Sequence, residues 1–238
     1  MRRQELIVRW EGPELALVID SPEQARGDVL LCHGLAGDRS GPGGVFTDLA
    51  NELTAQGWRV ARWDLPGWGD SGGTPETLGF DDLVQSMEEV VRVVAESSPP
   101  GRPLCLAGHS VGALVALAAA ERVQPRSLVL VSTDLTPGSR IVRPPGGAIR
   151  GGAFRLGPAF WQQRRRLDPH AVLSRLRCPV TIIAGAQDKR VTDALALAPP
   201  ASRLVTVADA DHLFVTVRER QCLALELCAA LDEVKEHR

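Results

Sequence analysis

Leu104-Cys105-Leu106-Ala107-Gly108-His109-Ser110-Val111-Gly112-Ala113-Leu114 is the stretch whose reading decides the fold. Its first four residues are apolar and read as a buried strand. The small residues from Val111 onward read as a helix able to pack closely. Between them stands a serine with a glycine two residues away on each side. A turn this sharp needs small residues near its centre, because bulky ones would clash with the adjoining strand and helix. A serine at a helix start also meets the positive end of the helix dipole, which favours developing negative charge. In a chain with 23 glycines the string G-x-S-x-G carries little weight alone. Its position between a strand and a helix makes it specific.

Working outward, strand and helix patterns alternate. Short apolar runs at residues 29–33, 59–63, 103–107, 127–132, 180–184 and 204–207 read as strands. Residues 5–10 and 15–20 read as an opening antiparallel hairpin around Gly12-Pro13. Helical spacing recurs over residues 46–56, stopped by Gly57, and over residues 213–234. A long helix with Asp81 or Asp82 as its cap carries the stripe Leu83, Val84, Met87, Val90, Val91, Val94. This order predicts an α/β fold: a mostly parallel central sheet with helices on both faces.

Residues 134–177 interrupt the rhythm. They show no strand signal and are rich in Gly, Pro and Arg. Nine arginines against Asp134 and Asp168 give this segment a net charge of +7 in a chain whose total is −2. A connection this long reads as a lid insertion, with residues 1–133 and 178–238 as the core.

The whole chain sets wider bounds. Its 238 residues suit one larger α/β domain. A net charge of −2 argues against a nucleic-acid surface. The longest apolar run, residues 112–120, is too short to span a bilayer, and the first residues lack a signal-peptide core. Cys32, Cys105 and Cys178 fall in apolar runs, and Cys222 and Cys228 share a helical pattern. Without a C-x-x-C pair they read as free thiols in a reducing cytoplasm, with no zinc site.

A serine hydroxyl near neutral pH needs a base, and the base an orienting acid. Of His33, His109, His170, His212 and His237, only His212 combines a polar loop before the last helix with a position C-terminal to the serine, matching the order Ser, acid, His. His109, beside the serine in a tight turn, is expected to point elsewhere. Asp188 and Asp134 both follow strands and both qualify as the acid, whereas Asp193, Asp209 and Asp211 read as caps or solvated charges. An oxyanion needs two backbone N–H groups. Val111 supplies one, and Leu35, between Gly34 and Gly37, is the candidate for the other.

These pieces stand in order: His33-Gly34, Asp64-Leu65-Pro66-Gly67-Trp68-Gly69-Asp70-Ser71, Gly108-His109-Ser110-Val111-Gly112, Gly185-Ala186-Gln187-Asp188 and Asp211-His212. Together they resemble the α/β-hydrolase superfamily over nearly the whole chain, and within it the small-lid esterases of monoacylglycerol-lipase-like and cinnamoyl-esterase-like kind. The resemblance favours Asp188 as the acid. It implies an acyl-enzyme reaction on a small-molecule ester, with no metal and no organic cofactor. Two departures stand out: an extended loop over residues 38–44, and an arginine-rich lid. Those arginines form either a solvated basic face or a site for a substrate carboxylate or phosphate. Arg140 and Arg143 lead that second set, followed by Arg150, Arg155 and Arg164, Arg165 and Arg166. Thioester hydrolysis or acyl transfer on a carrier-bound group is a second reading, and a non-catalytic binding protein a third.

Overall fold

The computed structural model describes residues 1–188, 191 and 202–232. Asp193, His237 and the end of the expected last helix lie outside the described residues.

An eight-stranded sheet runs β1 (Arg2–Val8), β2 (Leu15–Ser21), β4 (Trp58–Trp63), β3 (Gly27–Cys32), β5 (Leu104–His109), β6 (Ser127–Val131), β9 (Val180–Gly185), β10 (Arg203–Val207). β1 with β2 and β2 with β4 are antiparallel, and every other pairing is parallel. The inner strands β3, β5, β6 and β9 are buried along nearly their whole length because both faces are covered. Alternation along each strand still sorts the side chains. Leu30, Leu106, Leu128 and Leu130 enter one core layer, and Val29, Leu31, Ala107, Val129 and Val131 the other.

On the first face lie α2 (Phe80–Glu96) and α3 (Val111–Val123); on the second lie α1 (Val45–Ala55) and α6 (Val217–Asp232). α2 buries Phe80, Leu83, Val84, Met87, Val90 and Val94, a stripe at spacings of three and four. Its start corrects the expected cap. Gly79 is the N-cap, and Asp82 reaches back from the first turn to accept its N–H at 2.7 Å. The last helix begins at Val217 and not at Leu213, because the Asp211 carboxylate accepts the N–H groups of Leu213 (2.7 Å) and Phe214 (3.1 Å) and holds them in a turn.

Between β6 and β9 the arginine-rich segment forms a hairpin, β7 (Ala148–Ile149) with β8 (Phe154–Arg155), and two short helices, α4 (Pro158–Arg164) and α5 (Pro169–Leu173). The hairpin corrects the expectation of no strand here: two residues per strand are too few for a period to register. Leu135, Leu156, Phe160, Val172 and Leu173 are buried in the same layer as α2 and α3. Arg164 is buried as well, and its guanidinium donates to the carbonyls of Thr136 (3.2 Å) and Leu167 (3.5 Å).

The sheet register lines up the strand ends. Cys32 pairs with both Trp63 and Gly108, His109 with Val131, and Gly185 with Val207. The loops that follow β3, β5, β9 and β10 therefore open on one edge, where an open parallel sheet places its ligand crevice.

Candidate active site

Ser110 is the residue between β5 and α3, with φ 56° and ψ −120°. A positive φ on a residue with a Cβ is strained, by an amount of order 1–3 kcal/mol, and such strain persists only where the surroundings impose it. Here the crowding of the elbow imposes it. A Cβ on Gly108 would stand 2.3 Å from the Gly112 carbonyl oxygen, and one on Gly112 would stand 2.2 Å from that of Cys32. Strand, turn and helix thus meet backbone to backbone, and the serine side chain is turned out above the strand ends.

His212 lies in the loop after β10. Its Nε2 is 3.1 Å from Ser110 Oγ, and its Nδ1 is 2.6 Å from Asp188 Oδ2. The Asp188 carboxylate, just past β9, is 1% exposed, and His212 is 15% exposed. Residues 110, 188 and 212 thus form one hydrogen-bonded chain across three strand ends. In the neutral imidazole, a proton held on Nδ1 by the carboxylate leaves Nε2 free to accept the serine proton. Asp134, the rival acid, is exposed, and its Oδ1 accepts the N–H of Thr136 at 2.9 Å in a local turn.

The loop after β3 presses on the serine. A Cβ on Gly34 would lie 3.1 Å from Ser110 Cβ. Among the described residues no protein acceptor takes the N–H of Leu35 or of Val111, so both are available to an incoming oxygen. The loop itself is tied down twice. His33 is fully buried; it donates from Nδ1 to the Gly34 carbonyl (2.7 Å) and accepts the Leu65 N–H at Nε2 (2.8 Å). Burial keeps its pKa below the ordinary histidine value, which favours the neutral ring, and the Leu65 N–H on Nε2 leaves the ring proton on Nδ1. Asp64 is also fully buried. It accepts the N–H groups of Arg39 (2.6 Å) and Asp70 (2.8 Å) as well as the Arg39 guanidinium, joining the extended loop to the one after β4.

His109 does not simply point away. Its Nε2 donates to the His212 carbonyl at 2.7 Å, and the two rings lie 5.2 Å apart. Burial pushes its pKa down to about 4, so it is neutral near pH 7 and acts as a strut under the histidine loop. The two residues are 103 apart in sequence, a pairing that no local pattern announces. Arg140 and Arg143 are exposed, and neither bonds to Ser110, Asp188 or His212. The lid arginine that reaches the site is Arg150, whose guanidinium lies 3.5 Å from the Leu35 carbonyl oxygen.

Sheet order and the strained serine together define an α/β hydrolase. Residues 23–177 match the family described as serine aminopeptidase, S33, and the chain belongs to that family. The match stops short of Asp188 and His212. The chain is 24% identical over 200 residues to the esterase EstD of Thermotoga maritima, covering 69% of this chain and 47% of that one. It is 36% identical over 94 residues to a monoglyceride lipase homolog of Monkeypox virus, covering 39% of this chain and 32% of the relative. The chain thus spans less than half the length of these two curated relatives. Among solved structures, Est1E of Butyrivibrio proteoclasticus with bound ferulic acid superposes with a TM-score of 0.80 at 19% identity, covering 95% of this chain and 99% of that one. That likeness concerns the fold.

Proposed function

We propose that this protein is a serine hydrolase that cleaves a carboxylic ester of a small molecule through an acyl-enzyme. The observation that carries the proposal is the continuous hydrogen-bonded chain Asp188–His212–Ser110, ending on a serine at positive φ. Ser110 Oγ attacks the ester carbonyl carbon while its proton passes to His212 Nε2. The carbonyl oxygen becomes an oxyanion and takes the N–H groups of Leu35 and Val111. Collapse expels the alcohol, which leaves with the proton from His212. Water then gives its proton to His212 and attacks the acyl-serine; collapse breaks the bond to Ser110 Oγ, which takes that proton back from His212, and the acid leaves. Asp188 stays ionised throughout, orienting the ring and stabilising its cationic form.

Relatives named esterase and lipase support an ester over an amide substrate, although the family description names a peptidase. Residues 134–177 are read as the lid over this site, with Arg140 and Arg143 as candidate substrate contacts at its exposed face. Five free cysteines, three of them buried, fit a reducing cytoplasmic setting, and no helix among the described residues is long and apolar enough to cross a membrane.

The test is covalent labelling with a fluorophosphonate, then kcat/KM on a panel of acyl esters and acyl thioesters. Labelling and ester turnover that vanish together in Ser110→Ala are expected. A folded, unlabelled wild type would establish a binding protein instead, and a dominant thioester rate would move the reaction to thioester hydrolysis.

A further inference from the structure

The lid hairpin is anchored through its second strand. Phe154 of β8 packs edge-on against Trp68, in the loop after β4, with ring centres 5.1 Å apart. At the tip, Arg150 has φ 50°, followed by Gly151 at 66° and Gly152 at 93°, and a Cβ on either glycine would meet nothing within 4 Å. The chain therefore reverses tightly, and this exposed tip leans toward the loop after β3 that carries Leu35. Its guanidinium has five N–H donors, and the single described contact, to the Leu35 carbonyl, is long at 3.5 Å.

Three other lid arginines are differently employed. Arg164 is buried on backbone carbonyls, Arg165 donates to the Ile141 carbonyl, and Arg175 pairs with Glu121. Arg150 has no carboxylate partner among the described residues. It is nevertheless close enough to the buried His109 to oppose that ring's protonation. A cation with open donors beside the oxyanion loop, on an anchored support, is a ready partner for an anion carried by the molecule that enters.

We propose that Arg150 is a specificity-determining residue that selects esters bearing an anionic group, a carboxylate or a phosphate, close to the scissile bond. This rests on the hydrolase reading above. Ester cleavage needs no such charge, so the contribution belongs to binding: it lowers KM for anionic esters and leaves neutral ones untouched.

The test compares wild type, Arg150→Gln and Arg150→Lys. p-Nitrophenyl acetate and phenyl acetate are the neutral substrates. p-Nitrophenyl hydrogen succinate carries a carboxylate on the acyl side, para-acetoxybenzoate carries one on the leaving group, and para-acetoxyphenyl phosphate carries a phosphate there. In Arg150→Gln, kcat/KM for at least one anionic ester is expected to fall ~10-fold or more, through KM, with neutral esters within about 2-fold. Arg150→Lys recovers part of the loss, because charge survives without the planar fork. Ionic strength of ~1 M, where the Debye length is ~3 Å, shrinks the wild-type preference. The ester that responds identifies acyl or leaving-group side, carboxylate or phosphate. Equal losses on neutral and anionic esters would overturn the proposal, making Arg150 a support for the Leu35 loop. An unchanged anion-to-neutral ratio would overturn it too. Absence of neutral-ester turnover and of fluorophosphonate labelling in wild type would instead bring down the hydrolase reading itself.

Discussion

Asp188→Asn is the perturbation that most directly tests how the site is wired. The carboxylate is 1% exposed and sits 2.6 Å from His212 Nδ1, so the replacement amide has the same shape and no room to turn away. An amide presenting its NH₂ to Nδ1 makes that nitrogen an acceptor, and the ring proton moves to Nε2. Nε2 then faces Ser110 Oγ, 3.1 Å away, as a donor, and can no longer take the serine proton. The amide also cannot offset the positive charge that the ring acquires during attack. The expected loss is about 10⁴ in kcat, equivalent to ~5.4 kcal/mol of barrier at 1.36 kcal/mol per tenfold. KM should change little, since Asp188 does not face the crevice. Initial rates on p-nitrophenyl acetate measure the effect, with thermal melting to confirm that the variant folds. A loss under tenfold would refute the wiring. Asp134→Asn is expected to keep near-wild-type kcat, and a large loss there would transfer the acid's role.

Ser110→Gly removes the Cβ that is strained at φ 56° and should raise stability by ~1 kcal/mol, or roughly 2–4 °C in Tm, while abolishing labelling; a lowered Tm would show that the elbow stores no strain. Gly112→Ala drives a Cβ to within 2.2 Å of the Cys32 carbonyl oxygen and should cost ~2–3 kcal/mol in urea melts, so a neutral outcome would contradict the close approach of α3 to β3. His109 binds no proton in the folded state until about pH 4, against 6.5 for an ordinary histidine. The unfolded chain therefore takes up the extra proton, and stability drops as pH falls through that window, by up to roughly 3 kcal/mol. His109→Gln, whose amide can still donate to the His212 carbonyl, should flatten this part of the stability–pH curve, and profiles parallel to wild type would disprove it.

Much of this was readable along the chain because its causes are local. The apolar runs of β3, β5, β6 and β9 follow from burial on both faces, the stripe of α2 from packing one side of a helix, and the elbow glycines from the narrowness of a strand-to-helix turn. The turn at Ser110 and the α/β order were legible on those grounds, and the order of the motifs pointed to Asp188 and His212. What local pattern cannot carry is which side chains meet across the sheet edge. Asp134 and Asp188 both follow strands and look alike in sequence; only the folded chain puts one at 2.6 Å from His212 and turns the other onto its own backbone. The same holds for His109 under the His212 loop, for Asp64 gripping the Arg39 loop, and for Arg150, one arginine among nine in the lid. The sequence by itself determined the main strands and helices, their layering, and the serine at the strand-to-helix turn. Tertiary structure alone decided the partners, because hydrogen bonds and charges act over a few ångströms in space between residues 24 to 115 positions apart in the chain.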